Sequence, residues 1–132
     1  MHPIIELARL QKRFPSGTLA LEELSLSVPQ GDFVSLLGPS GCGKSTVLRL
    51  IAGLERPSAG AVRVGVADST TSAMAFVFQE PTLMPWSNVF DNVWLPLRLG
   101  GVSREQARPK VEPVLARVGL SAFSQSYPRE LS

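Results

Sequence analysis

Nine consecutive residues, Gly38-Pro39-Ser40-Gly41-Cys42-Gly43-Lys44-Ser45-Thr46, constrain this chain more than any other stretch. They satisfy G-x-x-x-x-G-K-[ST], a pattern that requires a strand before it and a helix after it. Asp32-Phe33-Val34-Ser35-Leu36-Leu37 is a nearly unbroken apolar run, which predicts a strand buried on both faces. After Lys44, the apolar residues Val47, Leu50, Ile51 and Leu54 keep helical spacing. Gly53 then offers a C-terminal cap, with Pro57 beyond it.

The chemistry follows from the residue types. Glycines at 38, 41 and 43 allow the backbone to curl so that successive N–H groups point inward. Those donors and the positive end of the following helix make a cradle for phosphate oxygens. Lys44 would set an ammonium near the β- and γ-phosphates, and Ser45 would offer its hydroxyl to Mg²⁺. The bland alternative is a glycine-rich strand-to-helix turn that happens to carry a lysine. Nucleotide binding is the better reading, because strand, loop and helix signals coincide.

With 132 residues, one Cys and a net charge of +2, the chain is one domain at most, with no disulfide of its own and no electrostatic case for nucleic acid. Apolar residues make up 44% and charged residues 18%, the balance of a soluble globular chain. Met1-His2-Pro3-Ile4-Ile5-Glu6 has no charged-then-apolar leader, so no signal peptide is expected. Nothing approaches the roughly 18 continuous apolar residues of a membrane span. A cytoplasmic location is expected, with membrane contact only through a partner.

Alternation marks three further strands. Ile5, Leu7 and Leu10 oppose Glu6 and Arg9; Leu24, Leu26 and Val28 alternate with serines; Val62, Val64 and Val66 alternate with Ala61, Arg63 and Gly65. These predict an antiparallel sheet with one wet face. Phe14-Pro15-Ser16-Gly17 and Pro29-Gln30-Gly31 read as turns, and Pro57-Ser58-Ala59-Gly60 and Asp68 to Ser72 as loops. Ala73-Met74-Ala75-Phe76-Val77-Phe78 predicts a second buried strand that delivers Gln79 to its C-terminal end, where α/β sheets bind ligands. A short helix is expected from Asn88 to Leu95, ending before Gly100-Gly101. Ser103-Arg104-Glu105-Gln106 has the form of a capping box for another, with Val111, Val114, Leu115 and Val118 at helical spacing. Pro109 and Pro113 inside that helix predict a kink or a later start.

With these pieces in place, the chain resembles the nucleotide-binding subunit of ATP-binding-cassette transporters over its whole length. Phe14 matches the aromatic residue that stacks on adenine, residues 38–46 the phosphate loop, and Gln79 the glutamine that ligates Mg²⁺ and senses the transmembrane partner. Tyr127-Pro128-Arg129-Glu130-Leu131-Ser132 looks like the run into the L-S-G-G-Q signature. The wording Leu83-Met84-Pro85-Trp86, followed by Val89-Phe90-Asp91-Asn92-Val93, is similar to importers of nitrate, sulfonate and taurine. The resemblance implies an α/β fold: a P-loop NTPase core with a mostly parallel sheet and flanking helices, plus a small antiparallel β subdomain, incomplete at the C-terminus. Residues 1–85 would hold the subdomain and core, and 86–132 the start of a helical subdomain. Plainer readings stand beside these. Phe14 could be a turn aromatic packed on the sheet, and Gln79 an ordinary polar strand end. Met84 and Trp86 could be core or contact surface, Trp94 and Leu95 packing, and Cys42 a backbone donor only. His2 is expected in an unordered terminus.

The resemblance implies an ATPase that uses ATP and Mg²⁺, with Lys44 and Gln79 as catalytic residues, to drive uptake of a small anionic solute. It implies three partners: a permease docked on residues 79–92, a second ATPase copy, and indirectly an external solute-binding protein. The subunit would be peripheral on the inner face of the membrane. Only Leu131 and Ser132 of the signature are present, and no Asp-Glu pair follows an apolar strand. The 132-residue chain alone is therefore expected to be inactive. A different-class alternative is a non-catalytic nucleotide-binding or interaction fragment. A third is another phosphate-loop enzyme, such as a kinase or DNA-repair ATPase.

Overall fold

The computed structural model describes residues 3–65 and 74–131; Met1, His2, residues 66–73 (with Val66, the 68–72 loop and Ala73 of the sequence reading) and Ser132 lie outside them. It divides into two compact units, Met1–Val77 and Phe78–Ser132.

In the first unit, β1 (Pro3–Arg13), β2 (Leu19–Pro29) and β3 (Ala59–Val64) form an antiparallel sheet in the order β2-β1-β3. The predicted alternating strands are these three. Simple alternation would put Leu10 on the opposite face from Leu7, yet both are buried. A β-bulge resolves this. Leu7 pairs with Leu26 and Leu10 with Leu24, so Ala8 and Arg9 oppose one residue, and Arg9 takes φ 44°. On β2 a matching irregularity puts Glu23 at φ 50° and returns Leu21 to the core face. The two bulges keep one strand pair in phase with one core.

That core is Leu7, Leu10 and Leu21 from the sheet with Val47 and Leu50 from α1 (Lys44–Ile51). Helix α1 ends as its sequence predicts. Gly53 adopts φ 70°, its N–H bonds Leu50 O, and Leu54 N–H bonds Arg49 O, a Schellman termination. Leu54 itself is exposed.

Ala59 and Gly60 belong to β3 rather than to the predicted loop. Gly60 sits at φ 82°, where an added Cβ would fall on the carbonyl oxygens of Ala8 and Arg9 in the β1 bulge. The bulge therefore demands glycine on the neighbouring strand.

The two strands predicted to be buried are not formed. Residues 32–37 carry no strand pairing, with Phe33 94% and Leu37 92% exposed, although Leu36 reaches the core. Residues 74–78 are likewise not strand, with Val77 93% exposed. An apolar run becomes a strand only where a neighbouring strand completes a ladder with its backbone, and the described ladders join β1 to β2 and to β3 alone.

In the second unit, α2 (Val89–Leu99) runs further than predicted, past Pro96, and is capped by Asn88, whose side chain accepts from Asp91 N–H. Helix α3 (Arg104–Arg117) starts at the predicted capping box, with Ser103 Oγ accepting from Gln106 N–H and Gln106 Oε1 from Ser103 N–H. It continues without a break through Pro109 and Pro113, so the predicted later start does not occur. Both prolines lie on the exposed side, where water can satisfy the carbonyls they leave unpaired. Ala107, Val111 and Leu115 form the buried stripe against Val89 and Phe90 of α2, while Val114 and Val118 face out.

Gly60→Ala should destabilise the first unit by about 1–3 kcal/mol from backbone strain, with the clash against β1 added to that. Gly17→Ala, at φ 87° with open space around it, should cost only the strain. Urea unfolding of both variants checks this; equal midpoints for the two would show that the bulge contact is unimportant.

Candidate functional site

The site is built from the start of α1 backwards. Gly43 is the N-cap residue at φ 99°, a left-handed conformation that most residues avoid. A Cβ there would lie 2.5 Å from Ala20 O and 2.8 Å from Leu21 Cδ2, so the first residues of β2 press directly on the loop. No side chain caps the helix, and its first turn holds no acidic residue. The N–H groups of Lys44, Ser45 and Thr46 therefore have no intrahelical acceptor and point with the positive end of the helix dipole. Such an end binds anions, phosphate above all.

The Lys44 ammonium is turned onto its own loop. Nζ donates to Gly38 O and Pro39 O, each at 2.7 Å, and lies 3.5 Å from Cys42 Sγ. Cys42 N–H bonds Pro39 O at 3.3 Å, which tightens the turn through Ser40 and Gly41. Lys44 thus bridges the two ends of the loop and brings a positive charge to its mouth. Ser45 is exposed on the first helical turn, and Cys42 is exposed as a free thiol.

Phe14 follows β1 and opens the turn into β2. Its N–H bonds Thr18 O, and Gly17 N–H bonds Phe14 O. The ring is half-exposed, with Lys12 Nζ 5.1 Å from its centroid. The hairpin register, Arg13 opposite Leu19, sets Phe14 within a few residues of Ala20, which abuts Gly43. The first unit therefore holds the phosphate loop and the candidate base platform together.

A cavity of about 370 Å³ lies elsewhere, along the β1 bulge, lined by residues including Arg9, Glu23 and Gly60. It arises where the bulged backbone opens and carries none of the phosphate-binding groups.

Gln79 belongs to the second unit. It is exposed and follows an extended run, not the predicted strand. The loop after it is shaped by Asn92, which was not singled out for this role. Asn92 Oδ1 accepts from Met84 N–H at 2.7 Å, and Nδ2 donates to the carbonyls of Met84, Ser87 and Asn88. This fastens the loop to α2 and displays Trp86 at 75% exposure, while Met84 is half-buried. Trp94 and Leu95 are half-buried, and Trp94 Nε1 donates to Val102 O. Pro128–Glu130 forms a 3₁₀ turn closed by Tyr127 N–H on Glu130 Oε2, and Leu131 packs on the core of this unit.

An uncapped helix start, a glycine loop and a bridging lysine define a nucleotide-binding α/β protein of the phosphate-loop class. Comparison with known proteins narrows the class. The ABC transporter family model matches residues 21–132, and the chain belongs to that family. It is 41% identical to the Fe(3+) ions import ATP-binding protein FbpC of Escherichia coli O157:H7, over 97% of this chain and 38% of that protein. It is 42% identical to the aliphatic sulfonates import ATP-binding protein SsuB 1 of Mesorhizobium japonicum, over 93% of this chain and 46% of that protein. Among solved structures, a dimeric ATP-binding cassette in a post-hydrolysis state, bound to ADP and Pi, matches with a TM-score of 0.81 and 30% identity, covering 97% of this chain and 63% of that one. The fold is thus that of a P-loop NTPase, and the chain spans less than half the length of these two curated relatives.

Lys44→Ala should weaken binding of a nucleoside triphosphate at least tenfold, the effect of losing one charge-assisted hydrogen bond of about 1.5–3 kcal/mol. Titration calorimetry with both proteins checks this, and equal affinities would remove Lys44 from the site.

Proposed function

We propose that this chain is the nucleotide-binding part of the ATP-binding subunit of an importer, in which ATP binding and hydrolysis drive solute uptake. The observation that supports it most is the uncapped start of α1 facing a lysine-bridged glycine loop. The triphosphate would lie on the N–H groups of residues 38–46, with Lys44 Nζ moving from the loop carbonyls toward the β- and γ-oxygens. Phe14 would stack on adenine.

Mg²⁺ needs only one or two protein oxygens when phosphates and water supply the rest. The exposed hydroxyl of Ser45, which has no hydrogen-bond partner among the described residues, fits that demand. When bound, Mg²⁺ would neutralise charge on the phosphates. The parts of Gln79 at the metal and in sensing the permease rest on the family resemblance.

Residues 79–92 would dock a permease, with exposed Trp86 as the anchor. Among the described residues, no helix is long and apolar enough to cross a membrane, and the subunit would sit on the cytoplasmic face through that partner. A second copy would complete each nucleotide site, a reading supported by the dimeric relative. For the cargo we favour a small anion such as nitrate, sulfonate or taurine, from the Leu83-Met84-Pro85-Trp86 wording. Overall identity does not discriminate, since the iron and sulfonate relatives match at 41% and 42%.

Two assays test this reading. The 132-residue polypeptide should bind ATP but show no turnover above a Lys44→Ala control; Lys44-dependent turnover would overturn its inactivity alone. In the complete subunit, Trp86→Ala should weaken permease capture by about 2 kcal/mol, roughly 30-fold, without changing nucleotide affinity. Unchanged capture would remove the docking surface.

A further inference from the structure

Lys12 is the one buried charged side chain among the described residues, at 9% exposure, and nothing in the phosphate chemistry above uses it. It lies two residues before Phe14, which directly follows the end of β1. Its ammonium donates to Glu55 Oε2 at 2.9 Å and to Arg56 O at 2.8 Å, in the segment just after α1. It also sits over the Phe14 ring, 5.1 Å from the centroid, within the roughly 6 Å range of a cation–π interaction. The same segment is sewn to the end of β1 by Ser58, whose N–H bonds Gln11 O and whose hydroxyl accepts from Arg13 N–H.

We propose that Lys12 is a positioning residue for base recognition: its buried ammonium covers one face of the Phe14 ring and ties it to the segment behind α1, holding the adenine platform in register with the helix that opens at the phosphate loop. This rests on the adenine-stacking reading of Phe14. Three physical effects act together. The cation occupies one ring face, so a base can use only the other. It draws the ring's electron density toward itself, leaving the free face less negative and better suited to the π-face of adenine. It also fixes the ring before ligand arrives, which reduces the ordering cost of binding. Glu55 and Arg56 lie a few residues beyond the C-terminal end of α1, the helix whose other end opens at the phosphate loop.

The test compares two probes, ATP and inorganic tripolyphosphate, which has no base, on the complete subunit. Lys12→Met should weaken ATP about two- to five-fold, the size of a partly buried cation–π contact, and leave tripolyphosphate unchanged. Lys12→Arg, which keeps the cation, should restore most of the ATP affinity. In a Phe14→Leu background, Lys12→Met should have no further effect on the ratio of the two affinities. A ratio unmoved by Lys12→Met, while Phe14→Leu does move it, would overturn the role of Lys12 alone. A ratio unmoved by Phe14→Leu would overturn the stacking reading itself. Should Lys12→Met fail to fold, Glu55→Gln carries the same readout: releasing the ammonium should lower the ratio in the same direction, and an unchanged ratio would reject the proposal.

Discussion

The close approach of Gly43 to Ala20 is the contact on which the first unit depends. Helix α1 packs on the sheet through Val47 and Leu50, and that packing brings the start of the helix against the β2 backbone with no room for a side chain. A left-handed residue at that point turns the chain from loop into helix and leaves three N–H donors facing outward. Packing and the exposure of those donors are thus one geometric requirement. The core sets where the helix begins, and where the helix begins sets where an anion can be held.

What could be read from the sequence was what is encoded locally. The capping box at Ser103, the glycine at position 53 and the alternating strands each depend on neighbours a few residues away, and the structure has them where the sequence put them. The bulges at Arg9 and Glu23 were not legible, because they reconcile two strands whose apolar positions are out of phase, and that is a property of the pair. Asn92 was missed for a similar reason: its four hydrogen bonds reach back to residues 84–88, and an asparagine inside a helix gives no sign of that. Lys12 had a signal, a cation two residues before an aromatic at a strand end, but its ammonium is held by Glu55, more than forty positions away.

The buried-strand expectation failed in an instructive way. Residues 32–37 and 74–78 have the composition of core strands, yet Phe33, Leu37 and Val77 stand almost fully exposed. Composition states what environment a segment would favour, and only partner strands can supply that environment. Prolines 109 and 113 show the converse. Their local cost is real, but both lie on the solvent side of α3, where water can meet the freed carbonyls, and the helix persists.

These contrasts separate the two halves of the chemistry. The phosphate loop keeps its form although the run before it is unpaired, because its shape rests on the contact of Gly43 with β2, the Schellman end of α1 and the Lys44 bonds to Gly38 and Pro39. Every one of those groups lies within the first unit. On the proposed reading, binding a phosphate would draw on a helix start held at the right depth on a small sheet. Cleaving one needs charges placed on both sides of the γ-phosphate with sub-ångström precision, which requires groups anchored on several paired strands. Affinity for nucleotide can be encoded in a short stretch of chain; turnover depends on a sheet whose strands find their neighbours.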